Sequence, residues 1–185
     1  MKNLKMFCLT LEPSHEKFIK ELGYTPVGLG EKDFSKSDEW FTDKSGTNIS
    51  EKNKSYGEYT FHYWLWKNYI DLNKVEDGWF GFCQYRKFWS TEKNNLFPKA
   101  INELKPIVLT KIPNSYENFD VILGDLHFIN QLKIMKFLKK GFKIIAKNPT
   151  YLFNKNKRNI KFHFDLMHGY NNLSKAIDLL DDENK

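Results

Sequence analysis

The stretch Gly78-Trp79-Phe80-Gly81-Phe82-Cys83-Gln84-Tyr85, followed at once by Arg86-Lys87, decides how this chain is read. It is apolar almost throughout, with no polar alternation. Such a run predicts an inner strand, buried on both faces, as in parallel sheets. Working outward, Leu4–Leu11 is a second strand of this kind. Ser14–Leu22 reads as a short helix closed by Gly23, and Pro26–Gly30 as a short strand or turn. Residues 31–54 form a long polar loop, and a loop of that length inside a compact domain points to function. Ser55–Tyr69 is the clearest helix. Pro106–Lys111 and Phe119–Leu123 predict two more strands. Leu126–Lys140 is an amphipathic helix, Lys143–Ala146 a weak strand, and Phe162–Leu180 one or two helices around Gly169. Buried strands alternating with helices predict an α/β domain with a mainly parallel central sheet. No internal repeat or linker composition marks a boundary, so one domain over 1–185 is expected.

The chain has 185 residues, 41% hydrophobic and 28% charged. A domain of this size buries roughly 70% of the surface its unfolded chain exposes, so it needs no disulfides to fold. The composition is that of a folded globular chain. No apolar run approaches the ~18 residues of a membrane span. The N-terminus has no signal-peptide cleavage pattern. Cys8 and Cys83 form no CxxC and lie in apolar runs, so buried reduced thiols and a cytoplasmic location are expected. The net charge is +6, but the only arginines are Arg86 and Arg158, and the lysines are scattered. Nucleic-acid readers favour arginine in clusters, so nucleic acid is not the expected partner.

Familiar catalytic signatures are absent. There is no GxxxxGK[ST], no GxSxG and no HExxH, and Gly28-Leu29-Gly30 lacks the third glycine of a dinucleotide site. Two blocks remain. The first runs from Asn48-Ile49-Ser50 through Tyr56-Gly57-Glu58-Tyr59-Thr60-Phe61-His62-Tyr63-Trp64-Leu65-Trp66-Lys67-Asn68. Ser55-x-x-Glu58 has capping-box spacing, which makes Glu58 either a helix cap or a functional carboxylate. Lys67 and Asn68 suit a helix C-terminus or a ligand. The second block is the strand end Gln84-Tyr85-Arg86-Lys87. Open α/β sheets bind ligands beyond the carboxyl ends of their strands, and a planar bidentate guanidinium there fits phosphate or carboxylate.

The blocks Glu58-Tyr59-Thr60, Tyr63-Trp64-Leu65-Trp66-Lys67-Asn68 and Gly81-Phe82-Cys83-Gln84-Tyr85-Arg86-Lys87-Phe88 resemble a bacterial glycosyltransferase family. That family is assigned to capsular-polysaccharide and lipopolysaccharide synthesis and carries ELTxxYWxWKN and HYRRY segments. Val27-Gly28, Phe119–Leu123 and His168 with Leu173-Ser174-Lys175-Ala176 fit more loosely. Two positions depart from the pattern: Gln84 stands where the family has histidine, and Lys87 where it has a second arginine. The family also continues beyond Leu180, so a chain shortened at its C-terminus is expected.

The resemblance implies a single GT-A-like α/β/α sandwich that transfers a sugar from a nucleotide-diphospho-sugar, a UDP-sugar first among candidates, to a glycan or lipid-linked acceptor. It implies work in the cytoplasm, at the inner face of the membrane. No DxD follows the Gly78–Tyr85 strand, so the expected diphosphate ligands are Arg86 and Lys87, helped by Gln84, Tyr85, Lys67 and Asn68. A divalent Mn or Mg ion stays open, since a metal or cationic side chains can neutralise a leaving diphosphate. Asp165 and His168 lie three apart, on one face of a helix, and form with Glu58 the candidate catalytic set. Asp120, Asp125 and His127 are secondary candidates. The second reading is a non-catalytic carbohydrate-binding or assembly protein on the same fold.

Overall fold

The computed structural model describes residues 3–70, 78–90, 100–124 and 142–180. The chain forms two compact units, residues 1–124 and 125–185. The first is an α/β unit around a parallel sheet of strands β1 (Asn3–Thr10), β2 (Thr25–Gly28), β3 (Phe41–Thr42) and β4 (Gly78–Gln84). Their order is β3-β2-β1-β4, and every neighbouring pair is parallel. β1 owes its central place to its sequence. Met6 and Cys8 point to one face, Phe7 and Leu9 to the other, and all four are buried.

Each face is covered. On one, Met6, Cys8 and Cys83 pack with Ile19 and Leu22 of the α1 region (Glu16–Glu21) and with Val108, Leu109 and Ile112. The Tyr24 hydroxyl donates to the Leu109 carbonyl at 2.8 Å and fastens that segment down. On the other face, Phe7 and Leu9 pack with Phe61, Trp64 and Leu65. Phe7 is fully buried, with the Phe61 ring edge-on at 5.3 Å and Phe82 stacked at 5.9 Å. Burying such a side chain is worth about 1.5–3 kcal/mol. Gly81 is required by this packing, because a Cβ there would meet the Met6 Cε at 2.5 Å. Cys8 and Cys83 stand in register on β1 and β4 as buried free thiols. Hydrogen bonding to Cys8 and burial push the Cys83 thiol far above its usual range.

Several local expectations are corrected. The long helix is three pieces: α2 (Asn53–Tyr56), α3 (Tyr59–Trp64) and a π-helical turn at Leu65–Ile70. Gly57, at φ +55, breaks it, a conformation open to glycine and strained for other residues. The π turn also has a cause. The Asn68 side chain donates to the Trp64 carbonyl at 2.9 Å, the group an α-helix would offer to the backbone N–H of Asn68. β4 is not an inner strand among the described residues. It pairs with β1 alone, and its outer side opens onto an apolar cavity of about 610 Å³ lined by Trp79, Trp89, Leu109, Phe119 and Leu123. After β4 comes the short helix α4 (Ile101–Leu104), and Pro106–Lys111 and Phe119–Leu123 are not strands. Val108 makes one isolated bridge to Ser90, and Val121 and Leu123 are largely exposed. An apolar run without a ladder partner gains no sheet hydrogen bonds.

The second unit is helical where described: α5 (Phe142–Lys147), α6 (Thr150–Phe153), α7 (Ile160–His168) and α8 (Asn172–Asp178). Lys143–Ala146 is therefore helix, not strand. Gly169, at φ +105, separates α7 from α8 as expected. The predicted helix 126–140, with Asp125 and His127, lies outside the described residues. No helix among the described residues is long and apolar enough to cross a membrane.

Candidate functional site

The strand order locates the site. From β1 the chain steps outward to β2 and β3, then returns to place β4 on the other side of β1. The carboxyl ends of β1 and β4 are thus the topological switch point, where connections leave in opposite directions and open a crevice. β1 ends at Thr10 and β4 at Gln84. Gln84-Tyr85-Arg86-Lys87 forms a tight turn there, closed by the Lys87 N–H donating to the Gln84 carbonyl at 2.8 Å. Tyr85 is half-buried, while Gln84, Arg86 and Lys87 are exposed. Arg86 makes no ion pair with another described residue; its guanidinium carbon lies 5.7 Å from the Tyr85 ring centre.

Glu58 joins this group from the opposite side of the crevice. The capping box is not formed: Ser55 sits inside α2, and Glu58 immediately precedes α3 without capping it through its side chain. Its carboxylate instead accepts a hydrogen bond from the Gln84 Nε2 at 3.0 Å. The break at Gly57 sets this up, by starting α3 beside the end of β4. Gln84 therefore still supplies a donor where the resembling family has histidine.

Lys67 and Asn68 are not brought to this edge. They lie nine and ten residues after Glu58, past the end of α3 and within the π turn. The Lys67 Nζ rests 3.3 Å from the Trp66 ring centre. The Asn68 amide clasps Thr47, accepting from its N–H at 2.9 Å and donating to its carbonyl at 2.8 Å. Asn68 is thus a buckle for the loop after β3.

In the second unit, Asp165 and His168 share α7 but do not pair. Asp165 is buried, and its Oδ2 lies 3.4 Å from the Lys161 Nζ, while its Oδ1 has no partner among the described residues. His168 is exposed, its ring 4.5 Å from that of Phe164. The expected catalytic dyad is replaced by a lysine pairing and a ring contact. Asp120 is exposed at a bend, with no strand around it.

The edge also holds residues that sequence reasoning passed over. After β1, the Thr10 hydroxyl accepts from the Glu12 N–H at 3.1 Å and lies 2.7 Å from the His15 Nδ1. The His15 ring stacks on Tyr85 with centres 3.5 Å apart, bridging the ends of β1 and β4. Glu12 holds Lys32, from the loop after β2, at 2.6 Å. Burial lowers the His15 pKa below its ordinary value, with Arg86 and Lys32 adding to the shift and Glu12 opposing it. On the α3 side, His62 packs 4.3 Å from the Phe82 ring with its Nε2 buried and unpartnered among the described residues, and burial lowers its pKa too. A histidine just past a predicted strand end, five residues after a threonine, was the available signal for His15.

Among the described residues no three His, Cys, Asp or Glu side chains form a metal-holding group. Of the described carboxylates at the edge, Glu12 pairs with Lys32 and Glu58 accepts from Gln84. What it offers is cationic and donor groups for an anion, beside one carboxylate able to accept a proton. A family model described as Domain of unknown function (DUF4422) matches residues 9–185. No curated protein and no solved structure matches the chain.

Proposed function

The chain belongs to this DUF4422 family, and from the residues at its switch point we propose that it transfers a sugar from a nucleotide-diphospho-sugar to a glycan or lipid-linked acceptor. The observation that carries the reading is Arg86, exposed and free of any ion pair with described residues, at the carboxyl end of β4 beside β1. Its fork of donors suits two phosphate oxygens at once, and Lys87 adds a second charge. In the reaction, an acceptor hydroxyl bonds to the anomeric carbon and its proton passes to Glu58. The bond from that carbon to the phosphate oxygen breaks, and the nucleoside diphosphate leaves with the electron pair. Arg86 and Lys87 stabilise the charge that develops on it. Gln84 keeps the Glu58 carboxylate turned toward the crevice.

The test is a thermal-shift panel of uridine, guanosine and thymidine diphospho-sugars, with and without manganese. A donor at ~100 times its dissociation constant stabilises the fold by about 2.7 kcal/mol. If no nucleotide at millimolar concentration moves the melting temperature, the non-catalytic carbohydrate-binding reading replaces this one.

A further inference from the structure

We propose that His15 is a second ligand of the donor diphosphate, acting from the end of β1, and that it takes up a proton when the diphosphate binds. The inference rests on the donor reading above and adds to it a residue, a charge state and a pH dependence.

The geometry carries it. Stacking on Tyr85 fixes the His15 ring at the switch point, next to the turn that presents Arg86. The Thr10 oxygen already accepts from the Glu12 N–H, so its own proton is available to His15 Nδ1. That arrangement leaves the ring proton of neutral His15 on Nε2, as a donor. When Nδ1 is protonated, the hydroxyl turns and accepts through its remaining lone pair. Thr10 thus supports both charge states of the ring.

The groups facing His15 are Thr10 and Glu12 on its own connection, Lys32 from the loop after β2, and Tyr85 and Arg86 from the turn after β4. In the free protein, burial and the two cations favour the neutral ring, against the pull of Glu12. A diphosphate between Arg86 and His15 reverses the local sign. The two negative charges offset the cations and favour the imidazolium. The bound pKa is then higher than the free one. Affinity is greatest below both values and falls as pH rises from the free to the bound value. Each pKa unit gained on binding is a tenfold change in affinity, so affinity is expected to fall as pH rises through neutrality.

Calorimetry tests this with UDP-glucose, GDP-mannose and dTDP-glucose, each titrated near neutral pH in two buffers of different ionisation enthalpy. Both phosphates of a nucleotide-sugar are diesters that do not titrate near neutrality, so any proton taken up goes to the protein. Wild-type protein is expected to take up a fraction of a proton per ligand. His15→Gln is expected to bind with no uptake and a flat pH profile. An NMR titration of His15 in the wild-type protein, with and without ligand, gives the same answer without a variant, and a raised pKa is expected. Binding without proton uptake, or uptake that persists in His15→Gln, overturns the role of His15 and leaves the donor reading standing. Failure of every nucleotide-sugar to bind overturns both.

Discussion

The carboxyl edge of the first unit and the stretch of the second unit from Arg158 through α7 hold the same kinds of side chain. Each has one of the two arginines, a candidate carboxylate and a histidine. Their surroundings are opposite. At the edge, Arg86 is exposed and Glu58 is turned toward Gln84 across the crevice. Around α7, Arg158 and Asp165 are each only 6% exposed. Asp165 faces Lys161, and the Arg158 Nε is buried without a partner among the described residues. Residue type and spacing nominate both regions; burial separates a group that can meet a ligand from one that helps hold a helix in place.

The two arginines are the strongest way to break that contrast. Arg86→Ala is expected to cost about 2–3 kcal/mol in nucleotide-sugar affinity, the scale of a lost charge-assisted hydrogen bond. It should change global stability by less than ~1 kcal/mol, as exposed charges do. Arg86→Lys keeps the charge and loses the fork, so it should already weaken binding. Arg158→Ala is expected to lower stability by about 1–3 kcal/mol through lost packing of a buried side chain. Chemical denaturation and nucleotide titration of both variants check this. Strong destabilisation by Arg86→Ala with affinity intact would make Arg86 structural and move the donor site elsewhere.

Much of the first region was legible beforehand because strands declare themselves by apolarity and their ends by an abrupt change of polarity. The runs around Met6–Leu9 and Trp79–Cys83 became β1 and β4, and Arg86 emerged where the polarity breaks. Strand neighbours were not legible, since pairing is long-range. Nothing local in Phe119–Leu123 shows that no strand lies beside it. The helix break was missed for a related reason: aromatic periodicity runs through Gly57 unbroken, while a single positive φ divides α2 from α3. His15 was missed because its partner Tyr85 is 70 positions away, and only the β1–β4 register brings them together. The Asp165–His168 spacing was legible, but spacing alone does not say that Lys161, one turn earlier, claims the carboxylate.

Glu58 gives a smaller effect that sharpens the same contrast. Its side chain does not cap α3, so Glu58→Gln removes no helix-start hydrogen bond. The melting temperature is expected to stay unchanged. Loss of the proton acceptor should lower turnover at least tenfold, about 1.4 kcal/mol of barrier. Transferase assays with the donor identified by the thermal-shift panel measure this. Unchanged turnover would remove Glu58 from the site and leave Arg86 as a binding residue alone.

The smallest expected effect lies in α7, where the structure separates two residues that the sequence pairs. A dyad makes its members interdependent: once the carboxylate is gone, the histidine has less left to lose. Independent partners make them additive. Asp165 is oriented by Lys161, whose Nζ also reaches the Ser174 Oγ at 2.7 Å, so the carboxylate belongs to a contact between α7 and α8. Among the described residues, the His168 side chain has the Phe164 ring beside it on the helix. The cycle of Asp165→Asn, His168→Gln and the double variant should therefore close to within about 0.5 kcal/mol, in stability and in turnover alike. Asp165→Asn alone should cost stability, because it weakens a contact to a buried group, while His168→Gln should be nearly silent. A coupling above ~1 kcal/mol confined to turnover would mean that the two side chains meet during the reaction, and α7 would then rank with the strand edge as a place where chemistry happens.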